Sequence, residues 1–153
     1  MSAVLRSHPE FRPMREGDLA SVIGIEQRSY DFPWTLGNFR DSLRAGYSCW
    51  TCRSHEGLIG YAVLMLAAGE AHLLNLTIDT YFHRQGHGTR LLEHVVSTAR
   101  QYGARILLLE VRPSNAAGLE LYARHGFRQI GVRRDYYPAQ DGRESALVLA
   151  LEL

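Results

Sequence analysis

Residues 84–89 read Arg-Gln-Gly-His-Gly-Thr and lie between two different kinds of segment. The strand-like run "AHLLNLTID" precedes them, and Leu91, Leu92, Val95 and Ala99 follow at helical spacing. A helix N-terminus exposes unpaired N–H groups and partial positive charge, and glycines let a ligand approach that backbone closely. Arg84, Gln85, Gly86, His87, Gly88 and Thr89 are therefore a candidate phosphate cradle built mainly from main chain. The plain alternative is a turn with no ligand. Two other phosphate motifs fail. A dinucleotide fingerprint needs a third glycine where Leu91 stands, although Glu110 falls 22 residues after Gly88, near the position of that motif's acid. A Walker loop needs a lysine, and all 17 basic residues are arginine, which also excludes a lysine Schiff base.

Other residue types invite chemistry. Glu110, in "ILLLEVR", shares a strand face with Ile106 and Leu108, and an acid among apolar neighbours needs a reason. It is a candidate general base; the alternative is a strand-end carboxylate paired with Arg112. Asn115 and Tyr122 are seven apart on one predicted helix, so they share a face about 10 Å apart. One extended ligand could touch both, or Tyr122 is an amphipathic core residue. Tyr136 and Tyr137 are adjacent in a strand and should face opposite ways, which would let one of them face a cleft. Phe32 and Trp34, in the break "DFPW", and Asp135 are further candidates. Cys49 and Cys52 form C-x-x-C, but in a strand rather than at a helix start, so free thiols are expected instead of a redox pair. The seven histidines are scattered and no cysteine or carboxylate cluster completes a site, so no metal is expected.

These residues need elements to hold them. Phe11–Met14 reads as a first strand. Asp18 looks like an N-cap, with Leu19, Val22, Ile23 and Glu26 following in the helix it starts. Thr35 looks like a second N-cap, for a helix turning Leu36, Phe39 and Leu43 inward. Strands at Tyr47–Arg53, Leu58–Ala67 and Ala71–Asp79 follow, with hairpin-length connections that suggest an antiparallel meander. The main helix should run from about Gly88 to Tyr102, stopped by Gly103. "RILLLEVR" is a strand, "PSN" opens a helix ended at His125-Gly126, and two last strands flank the turn "PAQDG". The order is β-α-α-β-β-β-α-β-α-β-β: an α/β protein with a mixed sheet and helices on its faces.

At 153 residues, one domain over 1–153 is expected. Net charge of +1 gives no field for bulk nucleic-acid or membrane binding. The opening "MSAVLRSHPEF" lacks a signal-peptide core, and the longest apolar run has 11 residues, too few to span a bilayer. Two unpaired cysteines fit a reducing cytoplasm.

The stretch "HRQGHGTRLL" resembles the acyl-CoA pyrophosphate loop, [QR]-x-x-G-x-[GA], of the GNAT superfamily of N-acetyltransferases, and the order of elements is similar to that fold. Within it, "IEQRSYDFPWT", "LNLTID", "LLEVRPSNAAGLELYARHGF" and "RRDYYPAQDGRESALVLAL" resemble the bacterial ribosomal-protein-alanine (RimI-type) N-acetyltransferases over most of residues 20–151. One departure is His83, where that family usually has Gln or Arg. The resemblance implies an acyltransferase that uses acetyl-CoA and no metal. Its acceptor would be the N-terminal alanine of a small-subunit ribosomal protein, met by a cytoplasmic monomer. It carries proton acceptance onto Glu110, proton donation to the CoA thiolate onto Tyr122 and cofactor binding onto Asn115. It also implies that Leu76, Thr77 and Ile78 pair with the pantetheine arm through their backbone, and that Tyr136, Tyr137, Phe32 and Trp34 flank the peptide. Two rivals are a broader N-terminal or small-amine acetyltransferase and a CoA-binding module without catalysis. A polyamine pocket should be acid-rich, and "RRDYYPAQDGRE" is mixed in charge.

Overall fold

The computed structural model describes residues 8–153. The opening residues 1–7, part of the stretch read as lacking a signal peptide, lie outside them. In chain order the elements are β1 (Glu10–Pro13), α1 (Leu19–Ser29), α2 (Leu36–Arg44), β2 (Ser48–Ser54), β3 (Gly57–Ala67), β4 (Glu70–Ile78), α3 (His87–Gln101), β5 (Ile106–Val111), α4 (Ala116–Arg124), β6 (Arg128–Ala139) and β7 (Gly142–Glu152). The seven strands form one sheet in the order β1-β2-β3-β4-β5-β7-β6. It is mixed: β4 and β5 are parallel, while β5 with β7 and β6 with β7 are antiparallel. Among the described residues no helix is long and apolar enough to cross a membrane.

Packing groups the chain into two compact units. One holds the residues up to Val63 together with Asn75–His94; the other holds Leu64–Leu74 with Val95–Leu153. In the first, a core of Met14, Leu19, Val22, Ile25, Phe39, Cys49, Tyr61 and Val63 forms under α1 and α2. The helical spacing of the apolar positions in α1 explains which face is buried. Asp18, expected to cap α1, instead closes a 3-10 turn before it: its carboxylate accepts from the Arg15 N–H at 2.8 Å and from Arg53. Thr35 does cap α2: its hydroxyl accepts from the Asn38 N–H at 3.1 Å, and the Asn38 side chain accepts from the Thr35 N–H at 2.9 Å. Phe39 is fully buried, but Leu36, expected inward, is 40% exposed; it opens α2 directly after the Thr35 cap. Cys49 and Cys52 are both buried and unpaired, and burial pushes their thiols up to about 11 and about 12, so neither is a thiolate near neutral pH.

In the second unit β5 alternates, with Leu107, Leu109 and Val111 buried and Ile106, Leu108 and Glu110 half-buried. The hairpin at the end of the chain is tighter than expected. Pro138 pairs with Arg143 and Ala139 with Gly142, so "PAQDG" is mostly strand. It also carries a large irregularity: four steps from Arg133 to Tyr137 on β6 oppose two steps from Ala146 to Glu144 on β7. Asp135 takes up the slack at φ 51, a left-handed backbone that only a few non-glycine residues adopt.

Candidate active site

The end of β4 is pinned before the glycine turn begins. Asp79 is 3% exposed; its N–H donates to the Ile59 carbonyl at 2.8 Å, and its carboxylate accepts from Arg28 at 2.5 and 3.2 Å. The Arg28 guanidinium holds the Asp79 carboxyl below the usual carboxylate range. Asp79 then caps a 3-10 turn at Thr80–Phe82. The His83 side chain turns back, its Nε2 lying 2.7 Å from the Ile78 carbonyl; since a carbonyl only accepts, Nε2 carries the proton. His83 thus ties the turn to the strand.

Arg84 at φ 62 and Gly86 at φ 82 make the left-handed corner that aims the chain into α3. The helix starts at His87, one residue earlier than expected, and its first main-chain bond runs from the Arg90 N–H to the Gly86 carbonyl at 3.2 Å. The N–H groups of His87, Gly88 and Thr89 therefore precede the intrahelical ladder. His87 adds an unusual feature: its Nδ1 is buried with no hydrogen-bond partner. Burial, helped by Arg90, pulls its pKa below the ordinary histidine value. Three main-chain donors, with Arg84 and Arg90 beside them in the chain, suit a diphosphate.

Two elements of the same unit frame the break between α1 and α2. Phe32 is 41% exposed. Trp34 is half-buried and packs on Phe39 with ring centroids 5.0 Å apart. Glu26, from the inward face of α1, reaches into this region at 2% exposure, and its carboxylate accepts from the Trp34 N–H at 2.9 Å and the Tyr61 hydroxyl at 2.7 Å.

The second unit holds Glu110, Asn115, Tyr122, Tyr136 and Tyr137. Glu110 Oε1 lies 3.2 Å from Arg133 Nε, with 27% of the Glu110 side chain exposed. Arg112, the partner in the alternative reading of Glu110, makes other contacts. It donates to the Pro138 carbonyl at 2.8 Å, lies 3.2 Å from Glu144 Oε1, and sits over the Tyr137 ring at 4.3 Å. Register explains the choice. Glu110 pairs with Val148 and Val148 with Gly131, so the row across β7 ends in a residue without a side chain. That leaves room for Arg133, two positions on, to reach back diagonally.

Tyr136 and Tyr137 do not face opposite ways. Their rings meet edge to face with centroids 5.0 Å apart, because the irregularity at Asp135 breaks the period-2 alternation. Burial, reinforced by the Glu110 carboxylate, pushes the Tyr137 phenol up to about 12, so it stays protonated beside Glu110. Asn115 lies just outside α4 as its N-cap, its Oδ1 accepting from the Gly118 N–H at 3.0 Å. Gly118 permits this: a Cβ there would come within 2.6 Å of Asn115 Nδ2. Tyr122 is 7% exposed, and its ring meets Phe127 edge-on at 5.4 Å. Both of the open readings of Tyr122 thus keep their basis, since a buried ring packs and can still present a hydroxyl.

Residues 19–127 match the family described as the acetyltransferase (GNAT) family. This chain belongs to that family. It is 38% identical over 136 residues to the [ribosomal protein bS18]-alanine N-acetyltransferase of Escherichia coli K12, a match spanning 89% of this chain and 92% of that protein. The crystal structure of the ribosomal-protein-S18-alanine N-acetyltransferase from E. coli superposes with a TM-score of 0.87 at 35% identity, covering 94% of this chain and 93% of the other. Ard1 from Thermoplasma volcanium has the same fold, with a TM-score of 0.87 at 24% identity over 96% and 99% of the two chains. The chain is an acyltransferase with a GNAT fold, as its motifs implied.

For a GNAT acyltransferase, the sequence reading missed two groups. Arg133 was passed over as part of a mixed-charge hairpin, and only the pairing register shows it reaching Glu110. Glu26 was read only as a residue of the first helix, and nothing in the sequence marks it as buried or names its partners. Among the described residues no three His, Cys, Asp or Glu side chains come together as a metal site would need.

Proposed function

We propose that this protein transfers an acetyl group from acetyl-CoA to the N-terminal α-amine of a ribosomal protein, with the alanine of bS18 as the leading acceptor. The observation that carries the reading is the left-handed corner at Arg84–Gly86, which frees the first N–H groups of α3, in a chain 38% identical to a bS18-alanine N-acetyltransferase. Arg84, Gln85, Gly86, His87, Gly88 and Thr89 would take the pyrophosphate. The backbone of Leu76, Thr77 and Ile78 would pair with the pantetheine amides and polarise the acetyl carbonyl. The protein would act in the cytoplasm as a monomer, without metal or nucleic acid.

The chemistry asks little of a base. A terminal amine has a pKa of about 7.7–8.0, so roughly a tenth is neutral near pH 7. In the mechanism proposed, Glu110 accepts the amine proton, directly or through one water, while Arg133 keeps the carboxylate oriented. The amine nitrogen attacks the thioester carbon, and the resulting oxyanion is held by main-chain donors. The C–S bond then breaks, and Tyr122 gives its proton to the departing thiolate. Tyr136, Tyr137, Phe32 and Trp34 would flank the acceptor peptide, and the Asn115 amide group left over from capping would meet the cofactor.

An acetylation assay on the purified protein tests this with three acceptors: a peptide beginning with free Ala, the same peptide blocked at its N-terminus but bearing Lys, and spermidine. Label on the free-Ala peptide is expected; label on either of the others alone would overturn the substrate. Glu110→Gln and Tyr122→Phe should each lower kcat by about 10²–10⁴-fold while CoA affinity is nearly kept. Unchanged rates would remove both from the mechanism.

A further inference from the structure

We propose that Glu26 is a positioning residue that fixes the exposed aromatic segment between α1 and α2 by accepting hydrogen bonds from that segment, from β3 and from β4 at once. The inference rests on the function proposed above, in which that segment flanks the acceptor peptide.

A carboxylate at 2% exposure is costly unless its oxygens are satisfied. Glu26 has three donors on three elements. Oε2 accepts from the Trp34 N–H at 2.9 Å; Oε1 accepts from the Tyr61 hydroxyl of β3 at 2.7 Å and from Asn75 Nδ2 of β4 at 3.2 Å. Each partner is neutral, and each gives a proton that the carboxyl only has to accept. The chain continues past Asn75. Its Oδ1 accepts from the Thr77 hydroxyl at 2.8 Å, and the Thr77 oxygen lies 2.6 Å from the Tyr30 hydroxyl. Thr77 has spent its one proton on Asn75, so Tyr30 must be the donor. Tyr30 is 37% exposed as a residue, but desolvation around its hydroxyl pushes the pKa up to about 12, so the proton stays throughout the working range.

The consequence is mechanical. The segment is held at Tyr30 through its side chain and at Trp34 through its main chain, and both ties lead back to Glu26. Phe32 lies between the two ties and stays 41% exposed. A segment already fixed in its binding shape loses less conformational freedom when a peptide docks, so the network should act on acceptor affinity rather than on bond making. A hydrophobic residue of similar volume would fill the space at lower desolvation cost but would leave the Trp34 N–H, Tyr61 and Asn75 without an acceptor.

Steady-state kinetics of the full chain with a free-Ala peptide test this, using Glu26→Gln and Tyr30→Phe. Glutamine keeps the volume and one oxygen but must turn its NH2 towards at least one of the three donors. Tyr30→Phe cuts only the Thr77 tie and leaves the buried carboxylate in place, so it decides the matter alone if Glu26→Gln does not fold. The peptide KM should rise about tenfold in Glu26→Gln and about threefold in Tyr30→Phe, with kcat at saturating peptide and the acetyl-CoA KM kept within about twofold. A peptide KM unchanged in both variants would overturn the proposal. So would kcat, both KM values and Tm all worsening together, since that pattern marks a general structural role. A wild-type enzyme inactive on the peptide would be a different failure, sinking the substrate reading first.

Discussion

At the residue scale, Asn115 carries two duties that can be separated. As N-cap of α4 its Oδ1 accepts from the Gly118 N–H, while its amide nitrogen is the part proposed to meet the cofactor. Asn115→Ser keeps a short side-chain acceptor for the cap and removes the NH2; Asn115→Ala removes both. Thermal denaturation should show Asn115→Ser close to the parent and Asn115→Ala destabilised by about 1 kcal/mol. CoA affinity should fall in both. If CoA affinity is untouched in Asn115→Ser, the residue is a cap only. The motif made Asn115 legible, but the spacing argument that put it on a helix face with Tyr122 was off by the cap position: it stands just outside the helix, where its side chain turns back onto the main chain. Glu110 was legible as an acid on the same strand face as Ile106 and Leu108. Its partner was not, because the nearest arginine in sequence, Arg112, is drawn to Glu144, and Arg133 arrives through strand pairing across β7.

At the element scale, periodicity and turn chemistry located every helix and strand to within a residue or two, apart from the last hairpin. There the glycine and proline of "PAQDG" suggested a five-residue turn, whereas cross-strand pairing extends to Ala139 and Gly142. The two extra residues around Asp135 have no local signature either: Asp tolerates a left-handed backbone, but nothing in "RRDYY" demands one. A close approach elsewhere is also invisible in one dimension. Gly60 sits in β3 where a Cβ would lie 2.6 Å from the Thr77 carbonyl oxygen and 2.6 Å from Ile78 Cδ1. The first of these is backbone and cannot swing away. Gly60→Ala should therefore push β3 and β4 apart at the segment proposed to hold the pantetheine arm. The expected outcome is a destabilisation of about 1–3 kcal/mol in chemical denaturation, together with weakened CoA binding in a titration. Gly17→Ala, at a position with no atom within 4 Å, is the matched control and should leave CoA binding unchanged.

At the scale of the whole molecule, each boundary between the two compact units falls inside a regular element or at its continuation: at Val63 in β3, at Leu74 in β4 and at His94 in α3. We propose that residues 1–153 nonetheless unfold as one cooperative domain, for which calorimetric and van't Hoff enthalpies should agree. The pH dependence of that transition has two separate windows. Asp79 has a lowered pKa through Arg28, so its contribution is present above the ordinary carboxylate value of about 3.8 and is lost as pH falls through the lower folded value. His87 and His94 are lowered by burial from the ordinary 6.5. Above that pH both states hold these rings neutral and no stability depends on them. Below it the unfolded chain takes up protons first, so stability falls as pH drops through 6.5 toward the folded values. His94 can serve as the probe: its ring stacks on Phe11 at 4.5 Å and meets Trp50 edge-on at 4.4 Å, and a phenyl ring can keep those two ring contacts. Tm of His94→Phe, measured from about pH 8 to pH 5, should decline less steeply than that of the parent below about pH 6.5, whatever the offset between the two at the alkaline end. Parallel curves for parent and variant would show that His94 takes up its proton alike in the folded and unfolded states over that range, and would leave the acid sensitivity to His87 and the carboxylates.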